Sequence, residues 1–145
     1  MGKWKTISIS VAAILIAFVT QAQGLQQVQK NIEVGMEVTL KPCSASMYYR
    51  YLDLYTKTRF DSNKPPVIDS TSGEGLYEYY FTPGDFDASR LPCSYAGKKY
   101  KVAALHIFED ENAKEKRVML LYTSEPLKII WVEFDDAVLN EELTW

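Results

Sequence analysis

The segment from Leu127 to Phe134 limits the fold more than any other part of this chain, because both of its alternating sets of side chains are apolar. Leu127, Ile129 and Trp131 fall on one side of an extended strand, and Ile130, Val132 and Phe134 on the other. Successive strand residues point to opposite faces, so a segment of this kind needs cover on both. It belongs in the interior of a sheet, started by Pro126.

Period-two alternation recurs along the chain. Met36, Val38 and Leu40 oppose Glu37, Thr39 and Lys41, and Pro42 ends that strand. Tyr48 to Phe60 reads as a second strand, with Tyr49, Tyr51 and Tyr55 on one face and Leu52 and Leu54 on the other. Leu76 to Thr82 has strand composition, with Tyr77, Tyr79 and Phe81 alternating against Glu78 and Tyr80 before Pro83-Gly84. Tyr100 to Phe108 and Val118 to Thr123 make two more strands, joined by the charged connector Glu109 to Lys116, which reads as a solvated hairpin loop.

Between these segments, Asp61 to Gly75 is dense in Asp, Asn, Pro, Ser and Gly and reads as a long surface loop; Asp85 to Lys98 reads as irregular. Asp135 or Asp136 is placed to cap a short helix over Ala137 to Leu143. About six strands with long loops and little helical periodicity predict a mainly β fold, a small antiparallel β-sandwich or barrel with a short C-terminal helix.

Cys43 and Cys93 are the only cysteines. Their spacing is not that of a C-x-x-C redox pair, and an even pair in an exported chain reads as one disulfide. Export is the expectation from residues 1–22. Lys3 and Lys5 precede an apolar run of about thirteen residues, Ile7 to Val19, and Thr20-Gln21-Ala22 resembles a small-x-small cleavage context. The run is shorter than the roughly 20 residues of a spanning helix, so a cleaved signal peptide is expected and no stable membrane insertion after it. Residues 23–31 read as a flexible lead-in and 32–145 as a single β-rich domain, periplasmic or secreted.

Cleavage after Ala22 would remove two of the 16 basic residues and none of the 19 acidic ones, leaving a formal charge of −5. That balance disfavours nucleic acid, since the densest basic patch is only Lys98-Lys99 with Lys101. It suits a cationic partner that is steered in and plugged, as an inhibitor or immunity-type protein would do.

Catalytic groupings are thin, and no catalytic residue, cofactor or metal site is expected. His106 is the sole histidine, with no metal-ligand spacing around it and no nucleophile elbow to serve, and reads as a hydrogen-bonded, half-buried sheet residue. Asp85 and Asp87 could pair for a small hydrolase but read better as turn residues, and they lack the continuing ligands of a calcium loop. The compositional oddity is ten tyrosines. A flat apolar ring with a polar tip suits interfaces and sugar stacking, although tyrosine also favours strands. Tyr49, Tyr51 and Tyr55 as one stripe, with Tyr77 and Tyr79 beside it, are the candidate ligand-binding residues. The expected function is recognition of a protein partner, with a carbohydrate-binding module using the tyrosines as the alternative and a small hydrolase third.

Overall fold

The computed structural model describes residues 32–43, 46–59, 67–82 and 84–145. The expected signal peptide and lead-in lie outside the described residues, as do Phe60 and the first part of the long loop. The elements run β1 (Glu37–Leu40), β2 (Tyr48–Lys57), α1 (Leu76–Tyr80), β3 (Phe86–Pro92), a 3-10 turn (Cys93–Tyr95), β4 (Lys99–Glu109), β5 (Glu115–Tyr122), β6 (Lys128–Glu133), α2 (Phe134–Leu139) and β7 (Leu143–Thr144). The seven strands form one sheet in the order β3-β2-β6-β5-β4-β1-β7, with every pairing antiparallel. The fold is mainly β, a curled half-barrel with two short helices. It is one sheet, where a sandwich would have two.

The curl has a local cause in β4. Its first residues, Lys99 to Lys101, pair with β1, whereas Ala104 to Glu109 pair with β5, and the register shifts between Val102 and Ala104. An extra residue in one strand bends it and increases its twist. Val102, Ala103 and Ala104 are all buried at this bend, and the two alanines leave room for other chain to pack closely.

Strand β6 sits between β2 and β5, in the interior position its two apolar faces require. By register, Tyr55, Ile129, Trp131, Val118, Leu120 and Ala104 share one face. That face is covered by α1 and the segment before it, through Leu76, Tyr80 and Ile68. Leu52, Ile130, Val132, Met119 and Leu121 occupy the other face and are wholly buried. There α2 packs on β2, β5 and β6, with Phe134 and Ala137 buried.

Three local expectations are corrected. Residues 76–80 are helix, because the buried positions are Leu76 and Tyr80, four apart, and Tyr77 and Phe81 meet at the same spacing with ring centroids 5.0 Å apart. A short aromatic-rich run satisfies a period of two and a period near four equally well. Residues 86–92, expected to be irregular, form β3. It is an edge strand in which only Leu91 is buried, so Asp87, Ala88, Ser89 and Arg90 carry no apolar alternation to read. Helix α2 runs Phe134–Leu139, starting and ending earlier than expected, with Leu143 in β7, and makes no side-chain cap; Asp135 lies in its first turn and pairs with Arg117.

The charged connector is a hairpin loop, as expected, but shorter: Glu109, Glu115 and Lys116 extend the β4–β5 ladder and only residues 110–114 form the turn. The Asp110 carboxylate accepts the Asn112 and Lys114 N–H groups at 2.8 and 3.0 Å. These bonds hold its carboxyl below the usual range.

Helix α1 depends on two glycines, Gly73 before it and Gly75 at its N-cap, where φ is +79° and a Cβ would press on the Val67 carbonyl oxygen. Gly73 has φ +77°, and a Cβ there would press on the Ala103 carbonyl oxygen and come within 2.7 Å of the Ala104 Cβ. Both the left-handed backbone and the close approach to β4 demand glycine. Gly73→Ala is expected to destabilise the domain by about 2–4 kcal/mol, the sum of backbone strain and overpacking. Urea unfolding followed by tryptophan fluorescence measures it.

Candidate functional site

The candidate site forms where the half-barrel is drawn together, and it starts from an irregularity in β2. Tyr48 pairs with Pro92 and Asp53 with Arg90, so β2 advances five residues while β3 retreats two. The excess is three, an odd number, and it exchanges the faces of the residues before and after it. Tyr49 therefore does not share a face with Tyr55.

Such a bulge strands main-chain groups that side chains must satisfy. Glu142 does most of this. Its carboxylate accepts the Arg50 N–H at 2.7 Å and the Tyr51 N–H at 3.0 Å, while its main-chain oxygen accepts the Lys41 N–H at 2.9 Å. Arg90 donates from Nη1 to the Arg50 carbonyl at 2.7 Å and pairs with Asp53 at 3.2 Å. The Tyr49 hydroxyl donates to the Lys41 carbonyl at 2.5 Å.

Cys43 and Cys93 complete the closure as a disulfide with Cα atoms 5.8 Å apart. Cys43 follows β1 and Cys93 follows β3, strands near opposite ends of the sheet order. The bridge therefore ties one end of the sheet to the other. The Cys93 N–H donates to the Met47 carbonyl at 2.9 Å alongside it.

Beside this junction lies an open groove of about 780 Å³, lined among others by Lys41, Ser46, Tyr48, Arg50, Arg90 and Glu141. Met47 and Tyr48, at the start of β2, are 78% and 48% exposed. Arg50 is exposed next to them.

The five candidate tyrosines are dispersed. Tyr49 is 2% exposed, and burial, assisted by Tyr100 and Glu142, pushes its hydroxyl up to about 12. Tyr51 is half-buried at the bulge. Tyr55 lies edge-on to Phe81 at 4.9 Å, with Phe86 and Trp131 also against it. Tyr77 and Tyr79 are on α1, not on a strand. Tyr77 turns to His106, Phe108 and Phe81, and Tyr79 to Tyr80, with the Lys57 ammonium 5.4 Å from its ring centre. The rings of Tyr55, Tyr77 and Tyr79 are thus each packed against neighbouring aromatic side chains, and the five do not form one stripe.

His106 is half-buried on β4, as expected, but its Nε2 has no hydrogen-bond partner. Burial lowers its affinity for a proton, partly offset by Glu78. Asp85 is buried and lies 4.0 Å from Arg59, whereas Asp87 is exposed on β3. No group of three or more potential metal ligands occurs among the described residues.

Met47, Tyr48, Arg50, Arg90 and Glu142 were not singled out by the sequence. Met47-Tyr48 at the start of a strand was the visible signal; the pairing of Glu142 with the bulge spans 92 residues and leaves no local trace. Comparison with protein-family models, with curated proteins and with solved structures finds no match to this chain.

Two outcomes test the closure. Glu142→Ala leaves two amides without an acceptor and is expected to cost about 1–3 kcal/mol, read by urea unfolding of the oxidised protein. The second is alkaline. Tyr49, Tyr80 and Tyr100, all nearly buried, have hydroxyls raised from 10.0 to about 12, chiefly by burial. Unfolded tyrosine releases its proton near 10, so the stability these groups contribute is complete below about pH 10 and is lost as pH rises through 12. Absorbance at the tyrosinate band should show these three ionising last, together with loss of near-ultraviolet circular dichroism.

Proposed function

We propose that this chain is an exported, non-catalytic binding domain that recognises a protein partner through the groove at the closed end of its half-barrel. The observation that carries this reading is the exposure of Met47 and Tyr48 beside Arg50 and Arg90, on backbone held by the disulfide and by Glu142. Aromatic residues, Met and Arg are the types enriched at protein interfaces and at their energetic centres. A surface already ordered before contact loses less freedom on binding. An inhibitor or immunity-type role, in which the closed end plugs a target, fits this rigidity.

Export rests on the N-terminal pattern and is supported by the cystine, a bond that persists in oxidising compartments. Among the described residues no helix is long and apolar enough to cross a membrane. The non-catalytic reading is supported by the cysteines being bonded to each other and by His106 packing against Tyr77 and Phe108.

A photoreactive benzoylphenylalanine tests the surface. Placed at Tyr48 in producing cells and irradiated, it is expected to give a discrete protein adduct, while the same group at Lys114 on the hairpin tip gives none. Equal labelling from both positions, or adducts only from Lys114, overturns the reading.

A further inference from the structure

We propose that the groove receives an acidic segment of its protein partner, which deepens and rests on the recognition role argued above. The chain as a whole is acidic, with a formal charge of −3, and its overall field would steer a basic partner toward it. The groove departs from that average. Lys41, Arg50 and Arg90 line it, against Glu141 and Glu142.

These charges are not equivalent. Both carboxylate oxygens of Glu142 are taken by the Arg50 and Tyr51 amides, so that acid is committed to the backbone. Arg90 is committed in part. One nitrogen contacts the Arg50 carbonyl and Asp53, and a guanidinium has five N–H donors in all. Lys41 and Arg50 enter no ion pair among the described residues. Two cations and part of a third therefore face a groove in which Glu141 is the one carboxylate left uncommitted to the fold.

The geometry suits a carboxylate. The head of Arg90 is fixed against the main chain of Arg50, which places both guanidinium-bearing residues at one point of the wall, and planar forks of this kind bind carboxylates bidentately. Exposed Met47 and Tyr48 lie next to them, so the acidic residue of the partner is expected to have an apolar neighbour. A second carboxylate on that segment would meet Lys41.

The test uses the oxidised protein and a fluorescent peptide of alternating glutamate and leucine, with lysine-leucine and glutamine-leucine peptides of equal length, read by anisotropy. The glutamate peptide is expected to bind most tightly and to weaken about tenfold between roughly 20 and 200 mM salt. Arg50→Glu should weaken it about tenfold more, while Lys114→Glu, with the same change of net charge on the hairpin tip, stays within about twofold. Melting curves of both variants establish that each is folded. Equal losses in the two variants, preference for the lysine peptide, or the absence of any glutamate-peptide binding each overturn the acidic-segment proposal. Adducts from Tyr48 that persist alongside such a failure leave protein recognition standing, whereas loss of those adducts removes both.

Discussion

Everything at the grooved end of this molecule depends on how an open sheet is held curled. A seven-stranded sheet with β3 at one edge and β7 at the other has no ladder bonds joining its ends. Two main connections do that work, the Cys43–Cys93 bridge and Glu142 reaching from beside β7 to the bulged amides of β2, and the Tyr49 hydroxyl adds a third by donating to the Lys41 carbonyl. The covalent one closes a loop of 50 residues, for which the chain-entropy model gives about 4 kcal/mol, a large share of the stability of a small domain. The polar one is specific in direction. A carboxylate between two N–H groups accepts charge-assisted bonds, and it sets where β7 must lie.

Residues whose partners are near in sequence were readable in advance. The strands of β4 and β5 and their hairpin loop follow from alternation broken by a charged turn, and the interior place of β6 follows from its two apolar faces. The cysteine pairing was legible because only one pairing exists. What escaped was structure set by distant contacts. Edge strand β3 is polar because little covers it, so the signal that marks buried strands is missing there. The helical state of α1 was decided by a shelf on β4, where Gly73 and the alanines at the bend allow a turn of helix to settle. A run of five residues has no intrinsic preference strong enough to resist that packing.

The tyrosines show the same limit at the site. The sequence places Tyr49, Tyr51 and Tyr55 on one face only if β2 is regular, and three extra residues in one strand overturn that inference without altering any local pattern. Tyr49 becomes part of the closure, Tyr55 packs with Trp131 and Phe81 against the core under α1, and Tyr48 is left at the surface. Aromatic abundance in this chain thus reports mainly on two small cores, one on each side of a single sheet.

Groove residues divide by what they hold. Tyr49, Glu142 and the cystine are shared between the fold and the groove wall, so changing them alters stability and surface together. Met47, just before β2, and Tyr48 and Arg50 on it are exposed; the Arg50 N–H is satisfied by Glu142, the Met47 carbonyl by the Cys93 N–H, and the Tyr48 N–H by the Ser46 hydroxyl. One set can therefore vary in chemistry while the other keeps its position fixed. Such a separation would suit the recognition role proposed above: the strand's irregular geometry is enforced by bonds made within the fold, and the side chains of Met47, Tyr48 and Arg50 make none of those bonds.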